Sequence, residues 1–170
     1  MTRPEKTEYA EYYDKYVSLV EATDVVSAME KQSEELNDTF SQISEEKGLY
    51  AYAEGKWTIK ELLGHLIDGE RIFAYRAFRF SRADKTPLPG FDQDPYIENG
   101  NYNSVKLADL LDELILLRKS NIHFLKNLSK KAWDNVGVAS DNPITVRALA
   151  YIMVGHIEHH VKILKEKYLS

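Results

Sequence analysis

The sequence predicts an all-α protein, a four-helix bundle. Three observations carry that expectation. Four stretches repeat apolar residues at the i, i+3, i+4, i+7 spacing of a one-sided helix. Capping residues stand where those stretches begin. Only 8 Gly and 5 Pro occur in 170 residues, too few for a turn-rich sheet protein. The length suits one domain, 1–170. No β-hairpin signal stands out, and no internal repeat is visible.

Residues 1–22 read as an N-terminal arm or a short helix. Tyr9, Tyr12, Tyr13, Tyr16, Val17, Leu19 and Val20 give it an aromatic face suited to docking on the domain surface. Asp24 opens the first long helix, which ends near Ile43. Its apolar side runs through Val25, Met29, Leu36 and Phe40. Gly48 and Gly55 punctuate the following segment.

Thr58-Ile59-Lys60-Glu61 matches the capping box, in which the Thr hydroxyl and Glu carboxylate each satisfy the other residue's backbone N–H. The second long helix then runs to about Arg82, with Leu62, Leu63, Leu66, Phe73, Ala77 and Phe80 inward. Residues 83–103 hold three prolines and two glycines and read as a loop. A structureless segment of that length usually has a task. Fully extended it reaches about 69 Å at ~3.3 Å per residue, enough to return along the whole bundle so that the second and third helices run parallel. It could equally serve as a lid.

Ser104 is the expected cap of the third helix, 105–128, which turns Leu107, Leu110, Leu111, Leu114 and Leu125 inward. One helical turn is expected at 130–134. Thr145 caps the last helix, about 146–167, with Val146, Leu149, Ile152, Met153, Ile157, Val161 and Leu164 on its inner side.

Composition narrows the chemistry. The net charge is −5, against the basic balance of a nucleic-acid binder. No apolar run approaches the roughly 18 residues of a membrane span, and the first residues lack an apolar signal core, so a cytoplasmic location is expected. There is no Cys. Disulfides, thiolate metal sites and a Cys nucleophile are excluded, and any metal must be held by His and carboxylates.

Of the five histidines, three stand out. His156 and His160 are four residues apart on the last helix, so their side chains differ by about 40° in direction and about 6 Å in rise. Two imidazoles so placed can converge on one ion. Ile152, Met153, Val161 and Leu164 share their side of the helix, which turns the pair inward. His65 lies between Leu62 and Leu66, seven residues past the Thr58 cap. If the second and last helices are antiparallel, the three rings meet at one depth. Unpaired imidazoles are costly to bury, and a shared cation satisfies all three. Three neutral ligands with an open position is the pattern of a catalytic rather than a structural metal site.

Gly64 and Gly155 immediately precede two of these histidines, which suggests close helix approach or room for a ligand beside the metal, or else simple tolerance of a costly residue. His123 is expected on the surface. Asp68, Glu70 and Glu158 could orient imidazole N–H groups, although surface ion pairing suits each of them as well. Arg71, Tyr75, Arg79 and Arg82 form a stripe that could pair with Asp84, Asp92 or Asp94. Weaker catalytic candidates are Glu158 and His159 beside the histidine pair, and Asp92 and Tyr96 in the loop.

The segments WTIKELLGHLIDGERIFAYRAFRFSRADKTPLPGFDQDPY and ITVRALAYIMVGHIEHHVKIL resemble the DinB/YfiT-like superfamily of metalloenzymes. The resemblance extends over essentially the whole chain. It implies an up-down-down-up four-helix bundle with a long crossover between the second and third helices. It also implies a divalent metal, zinc or nickel foremost, on His65, His156 and His160, and a homodimer. Members with known activity include S-transferases and isomerases that use low-molecular-weight thiols such as bacillithiol or mycothiol.

Three functions follow as expectations. In the first, a thiol brought to the metal is transferred to a small-molecule electrophile. The second is a metal-dependent hydrolase using metal-bound water. The third is a non-catalytic, stress-related protein that binds metal or a small molecule. No nucleic-acid or membrane partner is expected.

Overall fold

Each long helix begins where a side chain can satisfy the first free backbone N–H groups. The computed structural model describes residues 2–170. Two short 3-10 turns in the N-terminal arm lead into α1 (Asp14–Val17). The Asp24 carboxylate accepts from Val26 and Ser27 N–H to open α2 (Val25–Phe40). The expected capping box opens α3 (Ile59–Ser81): Thr58 Oγ1 accepts from Glu61 N–H at 3.1 Å, and Glu61 Oε2 accepts from Thr58 N–H at 2.8 Å. Thr145 Oγ1 accepts from Ala148 N–H at 3.0 Å to start α7 (Val146–Ile163), which ends in a π-helical turn, Leu164–Tyr168.

The third long helix, α5 (Leu107–Lys126), starts differently from the sequence expectation. Ser104 is not its cap; the Ser104 hydroxyl donates to Asn101 O instead. The Glu45 carboxylate, from the α2–α3 connection, accepts from Leu107 N–H at 2.9 Å. That cap is supplied from 62 residues away in sequence, so no local pattern could announce it.

Two further corrections concern the connections. The segment 83–103 is not structureless. It contains α4 (Gln93–Gly100), opened by Asp92 accepting from Asp94 N–H and closed by Asn101 in the left-handed region at φ 53°. Leu88 pairs with the Val138–Ser140 backbone through two hydrogen bonds. After the expected helical turn, α6 (Lys130–Trp133), there is a hairpin that the sequence did not signal. Strands β1 (Val136–Ala139) and β2 (Asn142–Thr145) are antiparallel, with Ala139 opposite Asn142. Ser140 and Asp141 both have positive φ, 51° and 62°, as a primed two-residue turn requires. Ser-Asp in place of Asn-Gly, between strands of four residues, conceals it.

Side-chain pairs fix the topology. Early α3 meets late α7: Tyr168 Oη donates to Trp57 O, and His65 contacts His156 and His160, so these helices are antiparallel. Pairs between α3 and α5 rise together, Arg71 with Glu113 and Phe78 with Phe124, so those helices are parallel. Glu30 of α2 reaches Lys126 of α5, and Glu45 caps its start, so α2 and α5 are antiparallel. The bundle is therefore up-down-down-up, and the long α3–α5 connection returns the chain along its length.

Two apolar clusters fill the bundle. One contains Met29, Phe73, Ile122 and Val154; the other contains Leu36, Ile67, Leu114 and Ile157. On every long helix a buried polar residue lies between the two: Gln32, Glu70, Arg118 and His156. This polar belt holds the α7 backbone. Gln32 Nε2 donates to Val154 O at 3.0 Å, and Arg118 Nη2 donates to Met153 O at 3.3 Å while pairing with Glu70 at 3.0 Å. Asn121 donates to the other Glu70 oxygen at 2.7 Å.

Candidate metal centre

The antiparallel contact of α3 and α7 brings His65, His156 and His160 together. His65 Nε2 lies 2.9 Å from His156 Nε2 and 3.2 Å from His160 Nε2. A cation at about 2.0–2.1 Å from each of three tetrahedral ligands would hold their nitrogens about 3.3 Å apart. Without a cation, three neutral rings facing one another can do no better than share one bifurcated N–H. The donor set thus fits a divalent metal, and no carboxylate belongs to it.

The surroundings keep the rings neutral and oriented. Burial pushes His65 down to about 4 and His160 down to about 2. His156 falls well below its ordinary value, first through burial and then through the neighbouring imidazoles. Neutral imidazole is the ligating form. Trp57 covers His65, with ring centroids 4.9 Å apart. Tyr16 and Phe73 stand edge-on to His156 at 5.3 and 5.6 Å.

The acidic residues that could have oriented the rings do not. Asp68 accepts from Tyr102 Oη at 2.6 Å. Glu70 is neither a ring partner nor on the surface; it is the buried partner of Arg118, and burial raises its carboxyl above the ordinary range. Glu158 is exposed, and among the described residues its carboxylate accepts a hydrogen bond only from Gln32. His160 Nδ1 is buried without a partner among the described residues. Aromatic contacts, not carboxylates, hold these imidazoles.

Both marked glycines reflect close approach. A Cβ at Gly64 would lie 2.4 Å from the Tyr102 ring, and one at Gly155 would lie 2.1 Å from the backbone oxygen of Tyr16. What they admit is a crossover tyrosine and the N-terminal arm, not a neighbouring bundle helix.

Two cavities flank the triad. One of about 390 Å³ is bordered by His65 and His156, by Tyr12, Tyr13 and Tyr16 of the arm, and farther along by Arg76 and Ser140. The other, of about 350 Å³, is bordered by His160, Trp57 and Tyr168. Asp94 borders both.

The weaker sequence candidates are distributed unevenly. Asp92 borders the larger cavity but serves as the cap of α4. Tyr96 is exposed, packs on Phe91 at 5.4 Å and borders neither cavity. His159 packs between His160 and Tyr16, and burial lowers its pKa. Of the basic stripe, Arg79 pairs with Asp84 and Arg71 with Glu113. His123 is exposed, as expected.

Sequence reasoning missed Asp94, Arg76 and the arm tyrosines as cavity walls. Only Asp94 had a usable signal: Asp92-Gln93-Asp94-Pro95 is a plausible helix start inside a segment read as loop. No helix among the described residues is long and apolar enough to cross a membrane.

Known proteins share this architecture. YfiT from Bacillus subtilis, described as a four-helix bundle of unusual topology and provisionally as a metal-dependent hydrolase, superposes with a TM-score of 0.72 at 17% identity. The match covers 96% of this chain and 90% of that one. A mycothiol-dependent maleylpyruvate isomerase superposes with a TM-score of 0.69 at 11% identity, over 85% of this chain and 61% of that one. In sequence, a protein of Oceanobacillus iheyensis provisionally named as a metal-dependent hydrolase is 23% identical over 156 residues, 88% of this chain and 86% of its own length. The profile of the DinB superfamily matches residues 28–164. The chain belongs to the DinB superfamily.

Proposed function

We propose that the protein is a metal-dependent enzyme acting on a small molecule, with His65, His156 and His160 holding one divalent cation, zinc or nickel. One observation carries this reading: three neutral imidazoles converge between two cavities, with no carboxylate among them. When bound, such a cation supplies Lewis acidity and lowers the pKa of a thiol or water in its remaining position. The protein's own residues do the rest. Tyr16 and Phe73 fix the His156 ring, Trp57 covers His65, and the arm tyrosines shield one side of the site from water.

The reaction we favour is transfer of a small thiol. The chain has no Cys, so a sulfur nucleophile must be brought in. The similarity of fold to a mycothiol-dependent isomerase supports the same reading. Metal-loaded protein given a panel of low-molecular-weight thiols and monochlorobimane is expected to form the conjugate faster than the blank, and His65→Ala is expected to abolish the excess. No excess with any thiol would overturn the transfer reading.

A second reading, hydrolysis, is favoured by the Asp94 carboxylate, which borders both cavities and could accept a proton from water. The provisional names of two relatives support it as well. Ester or amide turnover that disappears in Asp94→Asn while metal content is kept would favour it over transfer.

A further inference from the structure

Arg76 carries a charge that the fold does not neutralise. Only 2% of the residue is exposed, and among the described residues no carboxylate lies within ion-pair distance of its guanidinium. By contrast, the buried guanidinium of Arg118 is paired with Glu70. Arg76 makes its hydrogen bonds through one nitrogen: Nη2 donates to Pro89 O at 2.9 Å and to Ser140 Oγ at 3.1 Å. Those bonds tie the crossover to the hairpin tip and set the plane of the guanidinium. Neither acceptor is charged. A buried, unpaired charge is costly, and a guanidinium presents a fork of donors that matches a carboxylate.

The same cavity holds the other half of the argument. Arg76 and the histidines His65 and His156 border one space of about 390 Å³. Gly69, one face of α3, lies against the His156 ring. Arg76 follows it by two turns, about 10.5 Å of rise, and helix side chains lean back toward the N-terminus. Arg76 and His156 thus border one space from positions about two turns apart along α3. Asp92 and Asp94 also border the cavity, but both are exposed, at the start of α4. They lie at its rim, where solvent screens them, whereas Arg76 is buried.

We infer that Arg76 is a substrate-binding residue that recognises a carboxylate, and that the molecule acted on is a small carboxylic acid spanning the cavity between Arg76 and the metal. This deepens the proposed function and rests on it for the metal end. The arginine end stands on its own geometry.

The test uses the full chain loaded with zinc and isothermal titration. The probes are ω-mercaptoalkanoates, from propionate to octanoate, and the uncharged ω-mercaptoalkanols of equal length. A charge-assisted fork predicts that at least one chain length binds about tenfold or more tighter as the acid than as the alcohol. Arg76→Met is expected to erase that preference while leaving alkanol binding and zinc content unchanged. Equal binding of acid and alcohol at every length by the unaltered protein would overturn the inference without recourse to any variant. So would an undiminished preference in folded Arg76→Met. Hexanoate against hexanol, titrated into metal-free protein, reads the arginine alone. Acid preference there with no thiol dependence in the loaded protein would sink the metal reading and keep this one.

Discussion

Protonation should weaken the metal-free protein well before its carboxylates titrate. His65, His156 and His160 all have pKa values depressed by burial, so the native state holds them neutral while the unfolded chain protonates them near 6.5. The sign follows from linkage. Above about pH 6.5 neither state binds these protons, and their contribution to stability is fully present. Below it the unfolded chain gains up to three protons that the native chain does not. Stability then falls by about 1.4 kcal/mol per pH unit for each ring. Between about pH 7.5 and 5.5 the three together remove about 4 kcal/mol, a large share of the roughly 5–15 kcal/mol that holds a domain folded. Urea unfolding of chelator-treated protein, followed by circular dichroism at several pH values in that window, reads the slope directly. His65→Gln should reduce the loss across the window by about one ring's share, ~1.4 kcal/mol. Saturating zinc at the higher pH should add about 2.7 kcal/mol at a hundredfold excess over Kd. A stability constant to within about 1 kcal/mol across the window would show that the rings are not buried neutral together.

Four further outcomes are expected. Elemental analysis of untagged protein should find one divalent ion per chain, and His65→Ala, His156→Ala and His160→Ala should each lose it while keeping the helical spectrum. Glu70→Gln or Arg118→Met alone should cost about 3–5 kcal/mol in urea unfolding, and the double variant much less than the sum, because each single change strands a buried polar partner. Gly155→Ala must displace the Tyr16 backbone, so it should cost about 1–3 kcal/mol and speed proteolytic removal of the arm before the bundle is cut. Asp141→Gly should raise thermal stability by the equivalent of about 0.5–1 kcal/mol, since Asp141 sits at φ 62° in the hairpin turn; a lowered melting temperature would contradict that reading.

The long helices were legible because their information is local. Thr58 with Glu61, Asp24 and Thr145 announce helix starts in the three or four residues that follow them. The convergence of His65 with His156 and His160 was also foreseeable, since spacing, apolar neighbours and a single assumption about direction were enough. What stayed hidden depends on contacts between distant segments. Glu45 caps α5, Glu70 pairs with Arg118 across two helices, and Leu88 pairs with the hairpin strand. The role of the arm was only half visible. Its tyrosines were expected to dock, but no pattern in residues 1–22 says that Tyr16 docks onto His156.

That placement separates two kinds of change available to the protein over evolutionary time. The imidazoles are committed to rods whose shape the whole hydrophobic interior enforces. The chamber facing them is also bordered by Tyr12 and Tyr13 of the arm and by Ser140 and Asn142 at the turn tip, none of them a fully buried core residue. Those few peripheral residues can therefore be rewritten while the triad stays put. Relatives that share the bundle and the histidines should differ most in what those two appendages present.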